Sequence, residues 1–224
     1  MPNHTANNFT VTGPKADVLR FVAQIKGTDS EIDFNKVLPI PEVLRGTSSP
    51  TRIVTQEQID DEWVEWNKRK EEGKLGEFEK ERPFALGITQ AQSSELVAKY
   101  GYDNWYDWCI FHWGTKWNAY DVTEWSINEG HWNGDNSSAT IYYETAWSPV
   151  TALWMWVSND YPTLDFYHEY ADEGGAFLGS ETIREGRIIS TEEYEWDSDD
   201  GIELREGLGR YFPDDEEDTE EVEG

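Results

Sequence analysis

The sequence predicts an α+β fold in which helices cover one antiparallel sheet. Two observations carry that prediction. Segments of alternating polarity interleave with segments of helical periodicity in the order strand, helix, helical insertion, strand, strand, helix, strand. The chain also holds 12 Trp, 11 Tyr and 9 Phe, enough aromatic surface to fill a sheet–helix core.

The elements can be justified in order. "NFTVTG" (8–13) alternates and runs into Gly13-Pro14, a strand and a turn. In "PKADVLRFVAQIKG", Pro14 suits a first helical turn, and Val18, Leu19, Phe21, Val22 and Ile25 form one apolar stripe before Gly27. Residues 34–50 carry Pro39, Pro41 and Pro50 and read as an extended loop. Residues 55–73 are helical, with Thr55, Glu57 and Gln58 resembling a capping arrangement and Ile59, Trp63 and Trp66 at helical spacing. Two more helices follow at 89–101 and 103–114, with Gly101 and Gly114 as candidate C-caps.

Residues 116–127 and 138–148 read as strands joined by a turn-rich loop, and Pro149 after Ser148 reads as the start of a helix over 149–162. "LDFYHEYAD" (164–172) alternates as a strand, and 176–190 pairs back on it as a hairpin or edge strand. This order is that of the ferredoxin-like split βαβ fold. The expected organisation is a domain over 1–190, with a helical insertion at about 50–114, followed by an acidic, partly disordered extension over 191–224. "WYDWCIFHWGTKWNAYD" (105–121) is expected to be a helix that ends at Gly114 and leads into a core strand, with its four tryptophan rings closing the sheet–helix core.

Composition bounds the function. A lone cysteine, Cys109, forms no intramolecular disulfide, "MPNHTANNFTV" lacks the pattern of a secretory signal, and no stretch approaches 18 apolar residues. The expected location is the cytoplasm. With 46 acids against 18 bases the formal charge is −28, which argues against direct binding to nucleic acid and for attraction to basic surfaces. Solubility is the simpler account of the same charge.

No reaction is legible. Cys109 and His112 share a helix face, as a nucleophile and base would, yet apolar rings surround them and no third group orients them. His4, His112, His131 and His168 form no HExxH pattern and no CxxC occurs, so no zinc site is expected. "DSDDG" (197–201) departs from a calcium loop at its glycine and at its closing acid, leaving at most weak cation binding. Phosphate-binding and nucleophile-elbow motifs are absent, and no cofactor is expected. The acids at highest density are the expected partner-binding patch: Glu192, Glu193, Glu195, Asp197, Asp199, Asp200, Asp214, Asp215, Glu216, Glu217 and Asp218.

The runs "MPNHTANNFTVTGPKADVLRFVAQIKG", "IDFNKVLPIPEVL", "WCIFHWGTKWNAYD", "YYETAWSP" and "YPTLDFYHEYADEG" resemble the Api92-like proteins of phages and plasmids, related to the YubB ferredoxin-like group. The resemblance covers most of residues 1–185. It implies the ferredoxin-like fold and a mobile-element origin, and it brings no catalytic residues. The expectation from charge and resemblance together is a non-enzymatic, acidic, phage-encoded protein of the host cytoplasm. It would inhibit a basic-surfaced host protein, such as a defence nuclease, by DNA mimicry. The alternative is a nucleotide sponge that stacks a base on Trp or Tyr and holds phosphate near Lys116, Arg184 or Arg187.

Overall fold

The computed structural model describes residues 3–76, 79, 82–83, 85–128 and 136–209. The chain divides into two compact units: one runs from the N-terminus to Leu38 and resumes at Gly114, and the other is Pro39–Trp113.

The first unit is built on a six-stranded sheet. Its elements are β1 (His4–Pro14), α1 (Lys15–Ile25), a 3₁₀ turn at Phe34–Lys36, β2 (Ser126–Asn128), β3 (Asn136–Ala146), α5 (Thr151–Ser158), β4 (Asp165–Asp172), β5 (Leu178–Arg184), β6 (Arg187–Glu193) and α6 (Asp199–Gly207). The strand order is β2-β3-β1-β4-β5-β6, and every neighbouring pair is antiparallel. In β1–α1–β2 the two strands straddle β3, and in β3–α5–β4 they straddle β1. This is the split βαβ arrangement, with β5 and β6 added outside β4.

Strand β1 is longer than the six residues whose alternation is visible in the sequence. It pairs with β3 from His4↔Ala146 to Pro14↔Asn136 and with β4 from Thr5↔Asp172 to Thr12↔Asp165. Thr5, Asn7, Phe9 and Val11 point to the helix-covered face and are all fully buried. Polar Thr5 and Asn7 mask the pattern, because their inward positions look like surface ones.

The core of this unit is aromatic. Phe9 stacks on Trp154 of α5, with centroids 4.2 Å apart and an interplanar angle of 15°. Phe21 of α1 meets Phe166 edge-on at 5.3 Å and Tyr161 at 5.4 Å, and Phe34 meets Trp154 edge-on at 6.0 Å. These rings, and not those of the Trp-rich stretch, are the large side chains of the sheet–helix core. Trp105, Trp108 and Trp113 belong to the other unit.

Two element boundaries differ from the sequence reading. Of residues 116–127, only Ser126 and Ile127 enter a ladder strand, β2. Asp121 has a φ of 48°, which breaks the extended run after the isolated Tyr120↔Glu144 bridge, and Asn118 Oδ1 accepts from Phe34 N–H at 2.9 Å. Helix α5 begins at Thr151, beyond Pro149, with Val150 as its N-cap. The 176–190 segment resolves into the β5–β6 hairpin, turned at Glu185-Gly186, both at positive φ.

The second unit holds α2 (Gln56–Glu71), α3 (Gln90–Tyr100) and α4 (Trp105–His112). Thr55 with Gln58 and Thr89 with Gln92 each form a complete capping box, and Gly101 closes α3 in the left-handed conformation. Asp103 ties the α3–α4 corner, accepting from Ser93 Oγ at 2.6 Å and Thr51 Oγ1 at 2.5 Å. Ile59, Trp66, Ile88, Trp108 and Trp113 are buried in it.

Phe9 touches Phe21 of α1, Trp154 of α5 and Phe166 of the neighbouring strand β4, so truncating it opens a cavity no single side chain can refill. Phe9→Ala should lower unfolding free energy by about 3–5 kcal/mol, measured by urea denaturation followed by near-ultraviolet circular dichroism.

Candidate functional site

The two faces of the sheet differ in chemistry. Helices α1 and α5 cover the face of Phe9, Ile141, Phe166 and Ile183. The opposite face carries Asn8, Thr10, Thr140, Tyr142, Tyr167, Glu169 and Glu192, because successive strand residues alternate sides. One end of that second face is roofed by α6. Leu208 of the final turn is buried with Ala6, Ala171 and Leu178, and Leu204, Tyr142, Tyr194 and Trp196 pack around them.

Helix α6 is positioned by its N-terminus. Ser198 caps it by accepting from Gly201 N–H at 3.1 Å, and Asp199 and Asp200 sit in the first turn, where carboxylates suit the helix dipole. A Cβ on Gly201 would lie 1.9 Å from the Glu195 carbonyl oxygen, so no other residue fits. "DSDDG" is therefore a helix start. Arg205 is buried and donates from Nε to the Trp196 carbonyl at 3.1 Å.

Between α6 and the sheet lies a cleft of about 410 Å³. Four carboxylates line it, Glu169, Glu192, Asp200 and Glu203, together with Asn8 and Tyr194; Leu204 and Leu208 supply its apolar part. Its polar floor is fixed in place. Asn8 Nδ2 donates to Glu169 Oε2 at 2.8 Å, Tyr167 Oη donates to Glu169 Oε1 at 3.2 Å, and Tyr194 Oη donates to Glu192 Oε2 at 2.5 Å. No lysine or arginine is among its lining residues.

The acids singled out from sequence density are thus divided. Glu192 and Asp200 meet in the cleft. Glu193 pairs with Gly179 and points to the other side of the sheet, while Glu195, Asp197 and Asp199 are exposed but do not line it. Asp214, Asp215, Glu216, Glu217 and Asp218 lie outside the described residues. Density missed Glu169 and Glu203. The period-two pattern of "LDFYHEYAD" carried the signal for Glu169, and the i, i+3 spacing of Asp200 and Glu203 carried it for the helix.

A second polar cluster lies inside the helix-covered core. His168 is fully buried, with Nδ1 3.1 Å from Glu181 Oε1 and Nε2 2.9 Å from Asn7 Oδ1. Asn7 Nδ2 donates to the carbonyls of Thr5 at 2.8 Å and Tyr143 at 3.4 Å, so Oδ1 must face the imidazole and Nε2 must carry a proton. Thr151 Oγ1 donates to Glu181 Oε1 at 2.7 Å. Trp154 Nε1 donates to Tyr143 Oη at 3.0 Å, and burial pushes the Tyr143 phenol up. With Asn7, His168 and Glu181 buried and Thr151 half-buried beside them, this network joins β1, β4, β5 and α5.

Cys109 and His112 do not form a reactive pair. Among the described residues they make no hydrogen bond to each other. Burial pushes the Cys109 thiol up to about 12, and burial lowers His112, which lies against Trp108 at 4.4 Å. Among the described residues, no group of three or more His, Cys, Asp or Glu side chains is placed to hold a metal ion. No helix among them is long and apolar enough to cross a membrane.

Two further features bear on binding. Lys116 Nζ lies 4.3 Å from the Trp117 ring centroid and 4.6 Å from that of Trp147. Trp147 has a φ of 71°, a left-handed conformation that costs about 1–3 kcal/mol for a non-glycine residue. It is held there by its N–H donating to the Asn3 carbonyl at 3.0 Å, by Thr115 Oγ1 donating to the Ala146 carbonyl at 2.9 Å and by Ser148 Oγ donating to the Gly114 carbonyl. In the unit Pro39–Trp113, a separate cavity of about 630 Å³ is lined by Trp63, Gln56, Gln92, Arg45 and Arg82 among others. The Arg82 guanidinium already donates to the Arg45 carbonyl at 2.7 Å and pairs with Glu42.

The sheet order, the two split βαβ units and the acidic open face define a ferredoxin-like domain with an added hairpin and a docked C-terminal helix. Residues 112–222 match the family model described as "Ferredoxin-like domain in Api92-like protein", so this part of the chain is a ferredoxin-like domain of the kind found in Api92-like proteins. Among solved structures, protein api92 from Yersinia pseudotuberculosis is similar at 10% identity and a TM-score of 0.43, over 87% of this chain and 99% of that one. No curated protein matches.

Native Cys109 should resist a thiol reagent such as 5,5′-dithiobis(2-nitrobenzoate) at pH 8, since its raised pKa leaves almost no thiolate. Reaction at the rate of free cysteine, without denaturant, would contradict that. Gly201→Ala should detach α6 while leaving the sheet folded. The check is hydrogen exchange, which should quicken over 199–208 and stay slow in β1.

Proposed function

We propose that this chain is an acidic interaction protein, encoded by a phage or related element, that binds a host protein through a basic surface. The observation that carries this reading is the cleft in which Glu169, Glu192, Asp200 and Glu203 converge without a neutralising base. Two carboxylates held by hydrogen bonds on the sheet and two more on a capped helix offer an anionic surface of the kind phosphates present. A basic groove built for nucleic acid is the complementary partner. A defence nuclease or another nucleic-acid enzyme of the host cytoplasm has that chemistry, and occupying its groove would inhibit it. The net charge of −28 adds long-range steering and disfavours nucleic acid itself as the ligand. The reading assigns no catalytic role to any residue, in keeping with the protonated, buried thiol at Cys109.

A second reading is favoured by one observation, the cavity of about 630 Å³ in the unit Pro39–Trp113, a volume suited to a small molecule. Trp63, 37% exposed, offers a ring for a base. The bases named from sequence for phosphate are not at this cavity: Lys116 lies over Trp117 and Trp147, Arg184 is paired with Asp165, and Arg187 begins β6. Denaturing the purified protein and searching the supernatant for a nucleotide decides this reading. No released ligand and no binding to a nucleotide panel would remove it.

The leading reading is tested by capture from host extract at low salt and quantitative titration of the partner so identified. Affinity should fall at least about tenfold between 0.1 M and 1 M salt, as the screening length shrinks from about 10 Å to about 3 Å. Glu169→Gln with Glu203→Gln should weaken binding comparably at low salt, chiefly through the association rate. Deleting residues 213–224 separates the tail's contribution from that of the cleft. An affinity indifferent to both salt and the double substitution would refute the carboxylate surface.

A further inference from the structure

Trp117 and Trp147 are large apolar side chains left 39% and 41% exposed, and both rings turn a face to one ammonium group, Lys116 Nζ. Trp147 reaches this place from a left-handed backbone conformation in which glycine or asparagine would sit without strain. The turn that imposes it is fastened on both sides, by the Asn3 carbonyl accepting from Trp147 N–H and by Ser148 reaching back to Gly114. The ring so placed faces a cation, and the negative face of an indole is the strongest side-chain surface for one.

We propose that Trp117 and Trp147 form a cation clamp, occupied in the resting chain by Lys116, that takes an arginine side chain from a basic partner. This rests on the reading that the partner is basic, and adds an aromatic contact distinct from the acidic cleft. The occupant is argued from charge and shape. An anion is repelled by both ring faces, so the space at Lys116 does not suit a phosphate. A guanidinium is planar and weakly hydrated and stacks on indole over a wider area than an ammonium, so it displaces Lys116. The chain's excess of 46 acids over 18 bases raises the local concentration of such groups.

The test uses the full chain labelled with ¹⁵N at tryptophan, titrated with acetyl-Gly-Arg-Gly-amide, while the indole N–H signals of residues 117 and 147 are followed. The citrulline analogue of the peptide, uncharged but nearly isosteric, is the control. The arginine peptide should shift both signals and the citrulline peptide neither. Lys116→Ala should tighten binding by about threefold or more, because it removes a competitor held at high effective concentration. Trp147→Tyr should weaken binding in part and Trp147→Leu should abolish it, a gradation that follows ring electrostatics and not bulk; Trp117→Leu serves the same purpose should the residue 147 variants fail to fold. Equal response to both peptides, or a Lys116→Ala variant that binds no more tightly, would overturn the clamp. Glu169→Gln with Glu203→Gln should leave these signals responsive, so a failure of the cleft reading remains distinguishable from a failure of the clamp.

Discussion

Strand β1 is hydrogen-bonded to β3 along one edge and to β4 along the other, and the rest of the first unit depends on that double pairing. The family match begins at residue 112, yet the sheet of that domain is completed only by residues 4–14. Without β1, β3 and β4 would expose unpaired edges, and Trp154 would lose the ring it stacks on. The unit is therefore assembled from the two ends of the chain, with Pro39–Trp113 folded as a body of its own between them. Capping boxes at both long helices and the Asp103 corner give that body local definition independent of the sheet.

Register in the sheet is set by polarity as much as by packing. His168 bridges Asn7 on β1 and Glu181 on β5, and all three side chains are buried. Slipping β4 by one residue would send His168 to the open face and leave Glu181 as a buried carboxylate without its imidazole, at several kcal/mol, about 3–5. The network accordingly selects one alignment of three strands, while the aromatic cluster lies beside it in the same core.

The same alternation separates the two jobs of the sheet. One face is filled with rings under α1 and α5; the other carries the carboxylates and tyrosines that α6 turns into a cleft. A like-charged surface opposes compaction. Here the repulsion is placed on the face away from the aromatic core, where Asn8, Tyr167 and Tyr194 donate to the carboxylates and hold them in position.

Much of this was legible in the sequence for a stated physical reason: helices and strands announce themselves where local periodicity and capping agree. Helix α1, the capped helices of the insertion, β3, β4 and the ferredoxin-like order all follow from such local signals. The reach of β1 did not, because buried Thr5 and Asn7 imitate surface residues. Nor did the irregular path of 117–125, where the left-handed turn at Asp121 interrupts the pairing of Tyr120 with Glu144, or the membership of the sheet core, where Trp154 and Phe9 do what the Trp-rich stretch was expected to do. The acidic character of the chain was determined by composition alone, since charge adds without regard to fold. Which carboxylates converge was decided only by tertiary structure: Glu169 and Glu192 come from strands separated by β5, Asp200 and Glu203 from a helix docked through Leu208, and proximity across elements has no signature in local spacing.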